Sequence, residues 1–129
     1  MRFGYVIVYV PDVATALDYY NRAFGLPTRF VAPGGEYGEL ETGATALAFA
    51  AERFISESGL AFAPHRAGAL PAATELGLVT EDVAAAMEKA IAAGGTLAKP
   101  AERKPWGQTV GYVRDPNGVL VEICTPISG

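Results

Sequence analysis

At the start of the chain, valine alternates with tyrosine and isoleucine in the pattern of a strand. Across residues 5–10, valine occupies every second position, which is the period of two that a sheet produces. Asp12 follows as a good helix N-cap, because its carboxylate can accept from free amides of the first turn. Gly25 is a typical helix end. Between them, one apolar stripe at helical spacing consists of Val13, Leu17, Tyr20 and Phe24.

The same pattern returns 70 residues later. Residues 10–17 and 80–87 both contain an Asp-Val-Ala step, with Asp12 and Asp82 at equivalent positions. A second strand is predicted around Leu76 and Leu78, and Gly94-Gly95 supplies the second helix end. The second helical stripe consists of Val83, Met87, Ala90 and Ile91. An internal repeat of this length indicates two copies of one supersecondary unit.

Three further short strands complete each predicted copy. They are expected at residues 28–31, 38–42 and 46–50, and again at 96–98, 109–114 and 119–124. The sequence Asp-Pro-Asn-Gly at 115–118 is a strong turn signal between the last two strands. We therefore predict a first module over about residues 1–52, a linker over about 53–73 with room for a short helix, and a second module over about 74–129.

Composition and charge narrow the range of partners. Of the 129 residues, 50% are hydrophobic and 19% are charged, which is typical of one globular domain. The net charge of −4 argues against nucleic acid as a partner, and no apolar run reaches the roughly 20 residues that span a membrane. Cys124 is the only cysteine and no signal sequence is evident, so we expect a cytoplasmic protein.

Several short motifs resemble those of a known family. They are Tyr-Val-Pro-Asp-Val at 9–13, Tyr-Tyr at 19–20, Phe-Gly-Leu at 24–26, Pro-Trp-Gly-Gln at 105–108, Arg-Asp-Pro-Asn-Gly at 114–118 and Val-Glu-Ile at 121–123. Their order resembles the vicinal oxygen chelate superfamily of glyoxalases, bleomycin-resistance proteins and extradiol dioxygenases. The resemblance implies an α+β fold in which two tandem βαβββ modules form a curved mixed sheet with a concave cup and helices on the outer face. It also implies a small-molecule ligand in the cup and a homodimer.

The resemblance also identifies where metal ligands would lie. In the metalloenzymes of the family they come from the first and last strands of each module, which here gives Tyr5, a position near Leu47, Glu75 and Glu122. A neutral phenol is a poor ligand, and neither leucine nor the alanines on either side of it can ligate. His65, the only histidine, lies in the predicted linker. We therefore expect no complete metal site and no cofactor, with a divalent ion held by Glu75 and Glu122 as the alternative.

The residues expected to border the cup suggest a ligand surface. Glu122 interrupts an apolar strand, where an unpaired carboxylate is costly, and Trp106 lies in a turn-rich loop where its ring could stack on a flat ligand. Each has a purely structural reading: Glu122 bonds a backbone amide or lies at a wet rim, Glu75 lies exposed at a strand end, and the aromatic rings take part in ordinary core packing. The ligand-binding residues predicted on this basis are Tyr5, Ile7, Phe49, Glu75, Trp106, Gln108, Tyr112 and Glu122.

Three functions are compatible with these residues. The leading hypothesis is a non-enzymatic protein that binds and sequesters an antibiotic or another partly aromatic compound, as bleomycin-resistance proteins do. The alternative is a metal-dependent enzyme of the glyoxalase or isomerase kind with an altered ligand set. A third is metal-free catalysis with Glu122 as a base, for which the sequence offers no partner that would tune such a base.

Overall fold

The structure is a computed structural model that describes residues 1–127. It divides into two compact units, with the first ending at Pro64 and the second beginning at His65, and the division falls inside the predicted linker. Among the described residues, no helix is long and apolar enough to cross a membrane.

The first unit is a four-stranded sheet with a long helix on one face. The chain order is β1 (Tyr5–Val10), α1 (Val13–Phe24), β2 (Thr28–Val31), β3 (Tyr37–Leu40), β4 (Ala46–Ala51) and α2 (Glu52–Glu57). The strands lie in the order β1-β4-β3-β2, with β1 and β4 parallel and the other neighbours antiparallel. The short helix α2 occupies the start of the predicted linker.

The second unit repeats this arrangement. It contains β5 (Leu76–Val79), α3 (Val83–Ala92), β6 (Thr96–Arg103), β7 (Thr109–Arg114) and β8 (Leu120–Cys124). The strand order is β5-β8-β7-β6, again with one parallel pair, β5 and β8. The predicted α+β class and the two βαβββ modules are therefore confirmed. Strand β6 is longer than predicted, and it tolerates Pro100 because it lies at a sheet edge.

The helix ends follow the sequence signals. The Asp12 carboxylate accepts a hydrogen bond from the Ala14 amide at 3.0 Å, and the Asp82 carboxylate accepts one from Ala85 at 3.1 Å. Gly25 ends α1 in the left-handed conformation, with a φ of 67°. One stripe position was wrong: Ile91 is exposed, whereas Val83, Met87 and Ala90 of the same predicted stripe are buried.

Each helix approaches its sheet most closely over a glycine. A Cβ atom at Gly38 would lie 2.7 Å from Leu17 Cδ1, and one at Gly111 would overlap Met87 Sδ. Leu17 and Met87 are related by the 70-residue repeat, and the two glycines lie on the corresponding strands β3 and β7. The core of each unit is therefore the layer between one helix and one sheet face.

Candidate functional site

The strand register identifies which side chains lie on the face of each sheet that is turned away from its helix, here called the open face. Gly111 contacts α3 through Met87, so the next residue, Tyr112, projects to the open face. Tyr112 is paired with Glu122, and Glu122 with Gly77. Paired residues in neighbouring strands project to the same side, so these three form one row across the open face of the second unit.

A tyrosine and a glutamate are joined in this row. The Tyr112 hydroxyl donates to Glu122 Oε1 at 3.2 Å. The other carboxylate oxygen leans over the neighbouring glycine: a Cβ atom at Gly77 would lie 3.7 Å from Glu122 Oε2. The absence of a side chain at Gly77 leaves room for this carboxylate, which is partly buried among apolar strands.

Glu75 belongs to the same electrostatic cluster. It lies just before β5 and remains exposed, yet neighbouring atoms displace part of its water. This desolvation, followed by the charge of Glu122, raises the pKa of Glu75. Desolvation and the charge of Glu75, together with the hydrogen bond to Glu122, raise the pKa of Tyr112, so its phenol stays protonated at neutral pH. The structure thus brings Glu75, Tyr112 and Glu122 together.

Trp106 and Gln108 lie apart from that cluster, at the tip of the β6–β7 hairpin. The Trp106 indole donates to Gln108 Oε1 at 2.8 Å, and Gln108 Nε2 donates to the Thr125 carbonyl at 2.8 Å. The indole is therefore held in place while 61% of the residue is exposed. Because Gln108 precedes Tyr112 by four strand residues, the tip lies about 13 Å along the strand from the glutamate row.

In the first unit, two of the three predicted ligand-binding residues reach the open face. Tyr5 is 54% and Ile7 is 44% exposed. Phe49 does not reach that face: it is fully buried on the helix side, with its ring 5.1 Å from that of Tyr20. A ring that fills the core is unavailable to a ligand, so we leave Phe49 out of the proposed site.

The register also corrects one of the positions compared with the metalloenzymes. Glu122 pairs with Gly77, and the residue 70 positions before Gly77 is Ile7, which pairs with Ala48. The counterpart of Glu122 is therefore Ala48, one residue from the expected Leu47. Alanine has no donor atom, so Glu75 and Glu122 are the only carboxylates at these four positions. They do not fit a site with three protein ligands.

The metal-binding residue types are also dispersed. Within residues 1–127, the His, Cys, Asp and Glu side chains form no group of three placed to hold a metal ion. Cys124 is buried, and desolvation, followed by the nearby Glu122 carboxylate, raises the pKa of its thiol. A buried protonated thiol is a poor nucleophile.

A second tyrosine–glutamate pair was missed by the sequence reasoning. On the open face of the first unit, the Tyr37 hydroxyl donates to Glu39 Oε2 at 2.7 Å. Burial and this hydrogen bond to Glu39 raise the pKa of Tyr37. Arg29 Nε lies 3.9 Å from Glu39 Oε1. The predicted strand began at residue 38, which left Tyr37 outside it; the Tyr-x-Glu spacing was the available signal.

With this geometry in hand, comparison with known proteins identifies the family. The sequence profile of the glyoxalase/bleomycin resistance protein/dioxygenase superfamily matches residues 2–123. The chain belongs to this superfamily. No curated protein matches the chain significantly, so the superfamily is the level at which the comparisons assign it.

Several solved structures share the fold over nearly the whole chain. A glyoxalase-related enzyme from Fulvimarina pelagi is 26% identical, with a TM-score of 0.82 over 98% of this chain and 88% of its own. A protein of unknown function from Agrobacterium tumefaciens is 28% identical, with a TM-score of 0.76 over 98% and 94%. TioX from Micromonospora sp. ML1 is 23% identical, with a TM-score of 0.71 over 97% and 98%, a likeness of fold alone.

Proposed function

We propose that this superfamily member binds and sequesters a small, partly aromatic compound that carries a hydrogen-bond donor or a positive charge. The observation that carries the proposal is the open-face cluster of the second unit. There the Glu122 carboxylate is hydrogen-bonded by Tyr112 and lies close enough to Glu75 to raise its pKa. Two neighbouring carboxylates repel each other, and a cationic or donor group between them relieves that repulsion.

Binding would be reversible and would need no chemical step. The exposed Trp106 ring offers a flat surface, and its hydrogen bond to Gln108 reduces the entropy lost when a ligand stacks on it. A compound that contacts both the indole and the Glu122 row must span about 13 Å, the distance set by four strand residues. Protection by such a protein depends on affinity and abundance, since it acts by lowering the free concentration of the compound.

The second candidate is an enzyme of the glyoxalase or isomerase kind with a divalent metal ion. The observation in its favour is the same proximity of Glu75 and Glu122, because paired carboxylates are ligands for hard cations. The Fulvimarina relative, described as a glyoxalase-related enzyme, points in the same direction. Against it stand Tyr5 and Ala48 at the other two positions, which leave this chain short of a third good ligand.

The test is a binding titration that isolates the role of Glu122. Flat aromatic amines and matched neutral alcohols are screened through the indole ¹H–¹⁵N resonance of Trp106, the only tryptophan. In Glu122→Gln, binding of an amine should weaken about tenfold or more, the usual worth of a hydrogen bond to a charged group. Glu88→Gln, an exposed position on α3, is the matched control. Equal binding of amine and alcohol, or an unaltered affinity in Glu122→Gln, would refute the assignment.

We also propose a homodimer, as the superfamily resemblance implies. The exposed apolar side chains of Tyr5 and Ile7 support it, because such residues are commonly covered in an assembly. Light scattering on the purified protein decides the point: a homodimer has twice the 13.5 kDa mass of the chain, whereas a monomer at micromolar concentration would remove the proposal.

A further inference from the structure

The turn between β7 and β8 contains a chemically reactive dipeptide that the proposed function does not use. Asn117 and Gly118 close the Asp-Pro-Asn-Gly turn. In an Asn-Gly dipeptide, the glycine amide nitrogen can attack the asparagine side-chain amide carbon, because glycine carries no side chain that shields its nitrogen. This reaction contributes to the thermal lability of asparagine. The dipeptide is therefore a candidate site of spontaneous deamidation.

The packing of the turn requires glycine at position 118. Gly118 has a φ of 92°, a conformation that residues with a side chain rarely adopt. A Cβ atom there would also overlap the carbonyl oxygen of Arg66. Another residue at this position would be strained, so the sequence retains the reactive dipeptide for a structural reason. Its reactivity in the folded chain then depends on the conformation of the turn.

The folded turn holds the attacking nitrogen away from its target. The Gly118 amide donates to the Asp115 carbonyl at 2.9 Å. Asn117, the third residue of the turn, does not have a positive φ, which identifies a type I turn and excludes type II. In a type I turn, the amide of the fourth residue points back toward the carbonyl of the first. Attack on Asn117 Cγ therefore needs a large rotation about the Asn117 Cα–C bond, which breaks this hydrogen bond.

Arg114 opposes that rotation. Its guanidinium donates to the Gly118 carbonyl from Nε at 3.0 Å and from Nη2 at 2.9 Å. The same group also donates to the carbonyls of Arg66 at 3.1 Å and Ala67 at 3.2 Å. A rotation that carries Gly118 away breaks the first two hydrogen bonds and removes the support that orients the guanidinium for the other two. Reaction at Asn117 and release of the chain at residues 66–67 are thus linked through Arg114.

We propose that Asn117 is a deamidation site that Arg114 keeps unreactive in the folded chain, and that its isoaspartate product releases the chain at Arg66 and Ala67. In the reaction, a bond forms between Gly118 N and Asn117 Cγ, the Cγ–Nδ2 bond breaks, and ammonia leaves with the proton of the Gly118 amide. Water then opens the resulting succinimide to aspartate or isoaspartate. Isoaspartate adds a methylene group to the backbone, so the Gly118 carbonyl no longer reaches its position beside Arg114. The inference requires no ligand and is independent of the proposed function.

The first experiment compares deamidation of the folded chain with deamidation in urea at the same mildly alkaline pH. Peptide mass spectrometry quantifies the product at Asn117, with Asn21, the only other asparagine, as the internal reference. The folded wild type should react at least about tenfold more slowly than the unfolded chain, since local opening must precede the reaction.

Two matched variants test the role of Arg114 in this comparison. Arg114→Lys should speed the reaction of the folded chain about tenfold, because lysine cannot make all of the hydrogen bonds of the guanidinium, and should leave the rate in urea unchanged. Arg103→Lys, the same change at an exposed arginine of this unit, should alter the rate of the folded chain by less than about twofold.

The second experiment tests the product and decides the matter if Arg114→Lys does not fold. Wild-type protein is deamidated in urea, refolded and treated with trypsin. Cleavage after Arg66 should be at least about tenfold faster than in unaged protein, while cleavage after Lys89 in α3 stays unchanged. Asn117→Ser, taken through the same treatment, cannot form isoaspartate at this position and should show no acceleration.

Equal deamidation rates in the folded and unfolded chain, or an unchanged rate in folded Arg114→Lys, overturn the inference. It is also overturned if the isoaspartate form resists cleavage after Arg66 as well as unaged protein does. Equal acceleration after Lys89 would indicate general unfolding, and equal acceleration in Asn117→Ser would indicate damage elsewhere; either result overturns it as well.

Discussion

The close approach of α1 to its sheet gives a quantitative prediction for Gly38→Ala. The backbone there permits alanine, since Gly38 is not among the glycines with a positive φ. The added Cβ would lie 2.7 Å from Leu17 Cδ1 and 3.2 Å from Val13 Cγ1, whereas carbon atoms pack at about 3.5–4.0 Å. Leu17 must therefore move by about 1 Å, and Val13 is stiff because it is β-branched. Overpacking of this kind costs about 1–3 kcal/mol.

Two variants separate this clash from other effects of the substitution. Replacing glycine by alanine normally stabilises by about 0.4–1 kcal/mol when the backbone allows it. Gly68→Ala, with no atom within 4 Å of the added Cβ, should show this small gain. In a Leu17→Ala background, itself destabilised by about 2–5 kcal/mol, Gly38→Ala should become neutral or stabilising because the obstructing methyl group is gone.

Urea unfolding followed by far-ultraviolet circular dichroism measures all four free energies of this cycle. We expect a coupling of about 1–3 kcal/mol between positions 17 and 38, the cost of the clash that Leu17→Ala removes and within the range for contacting residues. Additive free energies would show that Leu17 does not limit the approach of α1 to β3, and the packing account of the repeat would be wrong.

Three further predictions follow from the second unit. Glu75→Gln should flatten the pH dependence of stability. The raised pKa of Glu75 stabilises the folded state at low pH, and this contribution is lost as the pH rises above about 4.3. In urea melts over that range, the wild type should therefore lose stability relative to the variant. Cys124 should resist a thiol reagent in the native protein and react in urea, because it is buried and its pKa is raised; rapid native labelling would contradict its placement. Arg114 donates to the carbonyls of Arg66, Ala67 and Gly118. Arg114→Lys should speed tryptic cleavage after Arg66, because lysine cannot make all of these hydrogen bonds. An unchanged cleavage rate would show that they do not hold the segment around Arg66 in place.

The repeat made most of the fold predictable. The Asp-Val-Ala steps 70 residues apart indicated two copies of one unit, and both aspartates cap helices as expected. The extent of β6 was not predictable, because residues 96–103 lack alternation and are extended by pairing with β7. Edge pairing of this kind depends on a neighbour that is distant in sequence.

The candidate site was predictable only in part, for a related reason. Glu122 stood out because it interrupts an apolar strand, and the structure places it with Tyr112 and Glu75. The face of the sheet to which the Phe49 side chain projects could not be predicted, because strand β4 is apolar on both faces and no polar residue marks the open face. Glu39 was missed since its significance depends on Tyr37 and on pairing across to Ala48.

The most direct test of the central claim is calorimetric titration of the chelator-stripped protein with zinc, nickel, manganese and iron(II). A sequestering protein with only Glu75 and Glu122 as donors predicts no stoichiometric binding at micromolar affinity, which corresponds to about −8 kcal/mol. Stoichiometric binding at that strength or tighter, lost when both glutamates are replaced by glutamine, would contradict the account and identify a metal-dependent enzyme.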